Sequence, residues 1–215
     1  MRWFLFALII CCFGCAPEAA NTVPKEEVRL QLLLQPLGRV DPMHVDSVAA
    51  ALSREHDAVV HIARRIELPV SAYTTIRSPR YRADTLIAWL RTIKPDSVDL
   101  IIGLTADDIS VTKVDSIGAI KEPAWTYRDF GIFGLGYIRG PSCVVSTYRL
   151  GDGKSERFFD RLKKVAVHEV GHNRALPHCT DTTCVMRDAV ERVASIDAAS
   201  RTFCTACRLR LADLP

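Results

Sequence analysis

Between residues 168 and 186 the chain gathers side chains able to hold a metal and move a proton: His168, Glu169, His172, His178, Cys179, Cys184 and Met186, within "HEVGHNRALPHCTDTTCVM". Two histidines four positions apart on a helix lie one above the other on one face, close enough to share one ion. Glu169 sits beside them, where a carboxylate can take a proton from water that zinc has made far more acidic than bulk water. One more ligand is needed to fix the metal while leaving a position open, and His178 supplies it at the right offset. Pro177 forces Leu176 out of helical geometry, so the helix must end and the chain turn back. His44, His56 and His61 have no such register and read as ordinary structural histidines.

Cys179, Cys184, Cys204 and Cys207 form a C-x4-C pair followed by a C-x2-C pair. Short-spaced cysteine pairs suit a closed tetrahedral zinc site with a structural role. Two disulfides are the alternative, because an exported chain meets oxidising conditions. His178 and Cys179 are adjacent, and adjacent side chains in an extended segment point in opposite directions, so one segment can serve two separate metals.

A third ligand beyond the helix end is the metzincin arrangement. The whole pattern resembles the archaemetzincins, whose H-E-x-x-H-x-x-G-x-x-H-C-x4-C-x-M-x17-C-x2-C is matched over residues 168–207 at every position but one. The resemblance implies a zinc-dependent metallopeptidase acting on a peptide or protein, with His168, His172 and His178 on a catalytic zinc, Glu169 as general base and Met186 in the Met-turn beneath the metal. It also implies a second, structural zinc on Cys179, Cys184, Cys204 and Cys207, two Zn2+ in all. The departure is Ala175, where the family has glycine. Alanine forced to positive φ costs about 1–2 kcal/mol, and zinc ligation outweighs that several-fold. A catalytically weak zinc protein that binds a peptide or partner is the competing reading, with Ala175 as its signature. Retention of Glu169 argues against it, since zinc binding alone does not need that carboxylate.

These residues must be positioned by a core, and 215 residues with 48% hydrophobic content can build one. The fold class expected is α/β (α+β): a metzincin-like mixed twisted sheet, an active-site helix and a small C-terminal zinc-bound subdomain. "VRLQLLLQPLG", "AVVHIARRIELP" and "SVDLIIGLT" read as strands of one sheet, and "HVDSVAAALSREHD" and "RADTLIAWLRTIK" as helices packed on it. "FGIFGLGYIRGPSCVVSTYRL" is punctuated by glycine and reads as an antiparallel edge. Its "GIFGLGYI" is a candidate for part of the cleft wall, the glycines letting a substrate backbone approach. "ERFFDRLKKVAVHEVGHNR" reads as a long core-facing helix that ends in the histidines.

The 28 Lys and Arg against 25 Asp and Glu leave a net charge of +3, with no basic cluster interleaved with aromatics, so no nucleic-acid partner is indicated. "MRWFLFALIICCFGCAPEAA" carries one cation, a short apolar run and a small residue before Cys15. Its end resembles a bacterial lipobox, with Cys12 a departure from the usual leucine. The organisation expected is therefore a signal at 1–14, lipidated Cys15 as first mature residue, a flexible tether at 15–27 and one catalytic domain at 28–215. That makes a monomer, exported and held on a bacterial cell membrane, periplasm- or surface-facing, by lipid alone. An ordinary cleaved signal and a retained membrane anchor are the alternatives.

Overall fold

The computed structural model describes residues 29–188 and 192–213; the signal, Cys15 and the tether lie outside the described residues. The elements follow in the order β1 (Leu30–Leu37), α1 (Pro42–His56), β2 (Ala58–Ile62), a 3-10 turn (Val70–Ala72), β3 (Tyr73–Thr74), β4 (Arg80–Arg82), α2 (Ala83–Ile93), β5 (Leu100–Thr105) and β6 (Ile109–Val111). Then come α3 (Ala124–Tyr127), β7 (Phe130–Ile132), β8 (Gly134–Gly136), β9 (Ser142–Ser146), α4 (Glu156–Asn173), α5 (Val193–Ala198) and α6 (Thr205–Ala212).

The main sheet has the order β2-β1-β5-β9-β8. Its first four strands are parallel, and β8 closes the edge antiparallel to β9. Because side chains alternate across a strand, β1 sends Leu32 and Leu34 to one face and Leu33 and Leu37 to the other. The first face packs against Val48 and Leu52 of α1 and Phe158, Leu162, Ala166 and Val170 of α4. The second packs against Leu86, Ile87 and Leu90 of α2. Parallel strands buried on both faces in this way require helices on both sides.

Local chemistry sets the helix ends. Asp41 caps α1 by accepting the Met43 N–H at 2.8 Å, with Pro42 at the first helical position, and Asp57 at φ 50° turns the chain out into β2. Ser155 caps α4 through the Phe158 N–H. The C-terminal segment shares the main core, since Ile196, Phe203, Cys207 and Leu211 pack with the α1 and α4 residues.

The single expected sheet holds for the strands that the pattern marked, but a second, mixed sheet of order β3-β4-β6-β7 lies beside it. The polar stretch "ADDIS" that follows β5 contains the start of β6 at Ile109. The glycine-rich stretch divides: β7 joins the second sheet, β8 forms the antiparallel edge, and β9 is an interior strand.

Candidate active site and metal centre

Helix α4 runs through the core with Val165, Ala166 and Val170 facing the sheet, which turns His168 and His172 together towards the open side. At its end the Ala175 N–H reaches the His172 carbonyl at 2.9 Å and the Leu176 N–H reaches the Gly171 carbonyl at 3.0 Å. That is a left-handed helix cap with Ala175 at φ 63°, where glycine is usual, and with Leu176 buried beneath it. The strain expected of Ala175 is therefore present. Ala175→Gly should raise stability by about 1 kcal/mol, a rise in Tm of about 2–4 °C for a domain of this size in a thermal melt.

The reversal brings His178 back over the helix, so that ligand nitrogens of His168, His172 and His178 all lie within 4.8 Å of one another. The Nδ1 of His168 donates to the Val185 carbonyl at 2.9 Å and that of His172 to the Leu176 carbonyl at 2.8 Å. Each ring must then present a lone pair at Nε2, and the two Nε2 atoms face each other at 3.0 Å. Two facing lone pairs at that distance repel unless a cation lies between them. Burial, then the neighbouring His172, drives the His168 imidazole down to about 3; burial likewise lowers His172. Neutral imidazoles with fixed tautomers are what a zinc site requires.

Glu169 is buried beside the triad on the wall of a cavity of about 150 Å³ that it shares with His168 and His178. Burial pushes its carboxyl up to about 8, against a Gly136 N–H and the charge of Lys113. The glycines of β8 act on this residue. A Cβ on Gly134 would stand 2.7 Å from the Glu169 Cγ and 2.8 Å from its Oε1, and one on Gly136 would stand 2.6 Å from its backbone oxygen. The expected cleft wall is there, since Gly131 to Gly134 line the cavity, but the close approach these glycines allow is to the glutamate.

Met186 is fully buried, its sulfur against Gly171 of α4, where a Cβ would overlap it. Beyond it the four cysteine sulfurs converge within 4.8 Å, Cys179 to Cys204 at 3.7 Å and Cys184 to Cys207 at 3.8 Å. A disulfide needs about 2.05 Å, whereas thiolates about 2.3 Å from a tetrahedral zinc stand about 3.8 Å apart. All four are free thiols, which fits the metal alternative.

Among the charged residues of the cavity that sequence spacing missed are Lys113 and Asp188. Asp188 lies 3.8 Å from the His178 Nδ1. Neither has a regular offset from the histidines, and Lys113 is far away along the chain, so only the fold brings it in. Among the described residues His44, His56 and His61 join no metal cluster; their Nε2 atoms meet the Gly153 carbonyl, the Val167 carbonyl and Gln31.

The model of peptidase family M54 matches residues 44–213. The chain belongs to peptidase family M54. It is 33% identical over 183 residues to the archaemetzincin of Halobacterium salinarum, spanning 80% of this chain and 94% of that one. The crystal structure of archaemetzincin from Methanopyrus kandleri is similar with a TM-score of 0.71 and 29% identity, over 88% of this chain and 97% of that one. Archaemetzincin from Archaeoglobus fulgidus, solved with malonate, gives a TM-score of 0.67 at 25% identity, over 84% and 99%. As an M54 member the chain is a zinc-dependent metallopeptidase at the level of the family, and peptides or proteins are the substrates which that family implies.

Proposed function

We propose that this M54 member hydrolyses peptide bonds with His168, His172 and His178 as ligands of a catalytic zinc and Glu169 as the general base. The observation that carries the reading is the pair of Nε2 atoms facing each other at 3.0 Å beside a buried carboxylate. Zinc held there supplies a Lewis acid that acidifies water and polarises the scissile carbonyl. Glu169 takes the proton and passes it to the leaving amine. The Gly136 N–H holds the carboxylate, Gly134 leaves it room, and the Val185 and Leu176 carbonyls orient the rings. Hydrolysis of a peptide library should be abolished by a chelator and restored by zinc. A peptide-binding protein of weak activity is the alternative, favoured by the strained cap at Ala175.

Cys179, Cys184, Cys204 and Cys207 hold a second, structural zinc, on the support of their sulfur spacing. The catalytic domain occupies 28–215, a monomer behind a signal at 1–14 and a tether at 15–27, and Cys15 carries lipid that holds it on a bacterial cell membrane, periplasm- or surface-facing. Among the described residues no helix is long and apolar enough to cross a membrane. Mass spectrometry of the mature N-terminus should find lipid-modified Cys15. An unmodified start within residues 16–24 would remove the anchor and leave the enzyme reading as it is.

A further inference from the structure

A second cavity, of about 390 Å³, adjoins the catalytic one and shares Gly131 and Phe133 with it. Its polar wall is made by Arg77, Arg80 and Arg149, and its apolar wall by Phe130, Phe133 and Val193. Three arginines in one recess repel one another, so something must hold them. Asp108, buried, grips Arg149 at both Nε and Nη2, each at 2.6 Å, and stands 3.3 Å from the Arg80 Nε. Asp129, fully buried, lies 3.7 Å from the Arg80 Nε and 3.7 Å from the Arg82 Nη1. Arg82 is offset again by Asp84 at 3.0 Å.

That leaves two carboxylates for the three guanidiniums of the wall. Arg77 makes no ion pair among the described residues; its Nη1 donates to the Thr126 carbonyl at 3.1 Å and its guanidinium lies over the Trp125 ring at 5.1 Å. The Arg149 fork is bound on one edge only, and its Nη1 has no hydrogen bond among the described residues. Gly131 is what lets that fork lie flat on β7 at the junction of the cavities, since a Cβ there would meet the Arg149 Nε at 2.6 Å. A guanidinium already held by a buried carboxylate offers its free edge with little further loss of entropy.

We propose that this recess is a subsite for a carboxylate of the peptide held in the catalytic cleft, with Arg149 and Arg77 as the donors that recognise it. A surplus of one positive charge matches a single carboxylate better than a dianion, and the phenylalanine rim suits the methylenes that carry it. The carboxylate can come from an acidic side chain or from the peptide's C-terminus. The inference rests on the peptidase reading for the placement of a peptide in the cleft.

The test uses the zinc-loaded full chain and matched peptides with Glu or Gln at each position in turn, each with a free or an amidated C-terminus, and measures both Kd and cleavage. The acid should be preferred about 10- to 100-fold at one position, as charge-assisted hydrogen bonds allow. A preference confined to the free C-terminus identifies the terminal carboxylate, and one that survives amidation identifies a side chain. Arg149→Gln and Arg77→Gln should each lower the ratio at least threefold, and Arg149→Lys should keep part of it. Should Arg149→Gln fail to fold because Asp108 loses a partner, Arg77→Gln decides alone, since it breaks no ion pair. Acid preference in Kd without any cleavage would keep the subsite and remove the peptidase reading. Ratios within twofold at every position and both termini, or a preference unchanged in the foldable variants, would overturn the subsite while cleavage leaves the peptidase standing.

Discussion

Glu169→Gln is expected to lower peptide hydrolysis by about 10²–10⁴-fold, the range of a lost general base, while fold, zinc content and peptide affinity stay as they are. Glutamine has the same shape and can still accept the Gly136 N–H, so the packing of α4 against β8 survives. It cannot take a proton from water. Zinc content is indifferent to the change because the three candidate ligand nitrogens belong to histidines. Gly134→Ala makes the same point from the other side of the cleft. Its Cβ would meet Glu169 at 2.7–2.8 Å, so the carboxylate must shift, and activity should fall although no reacting group has been removed. Metal analysis alongside kcat/KM separates a misplaced base from a lost ion. If wild type and Glu169→Gln are equally inert towards every peptide yet bind some tightly, the site is a receptor and the peptidase reading of this chain fails.

The spacing of the candidate ligand histidines was readable in the sequence because helix geometry fixes the i, i+4 relation locally, and the reversal at Ala175 and Pro177 is also local. Two core strands were readable for a similar reason, since Leu32 and Ile102 sit in apolar runs buried on both faces, whereas β9, which holds Val145, read as an edge and is an interior strand. The second sheet was not. Its strands are two or three residues long, and one of them is Arg80-Tyr81-Arg82, so neither length nor alternation marks it. Gly134 and Gly136 were recognisable as sites of close approach, but the sequence could not say that the approaching group is Glu169, more than thirty residues later. Lys113 and Asp188 carry no spacing signal, and charge at those positions becomes meaningful only once β7 and α4 are neighbours around one cavity.

Cys204→Ser is expected to remove one zinc per chain and lower Tm by about 8–16 °C. Structural zinc contributes about 10–16 kcal/mol in small zinc-finger peptides, and a domain with its own core needs to lose only about 4 kcal/mol of this for such a shift at about 2–4 °C per kcal/mol. The damage should also reach the histidines. Cys184 accepts the Met186 N–H at 3.4 Å, Cys179 donates its N–H to the Met186 carbonyl at 2.8 Å, and the residue between Cys184 and Met186 is Val185, whose carbonyl fixes the His168 tautomer. Loosening the cysteine cluster therefore frees the group that orients His168, and His178 is bonded directly to Cys179. Loss of such an orienting partner typically costs about 10–100-fold in metal affinity, so the remaining zinc should exchange faster with a chelator than it does in wild type. Cys143→Ala, in the core and outside the cluster, should leave both ions in place. Finding one zinc in wild type with all four cysteines oxidised would show that two disulfides, and not a second metal, close this end of the molecule.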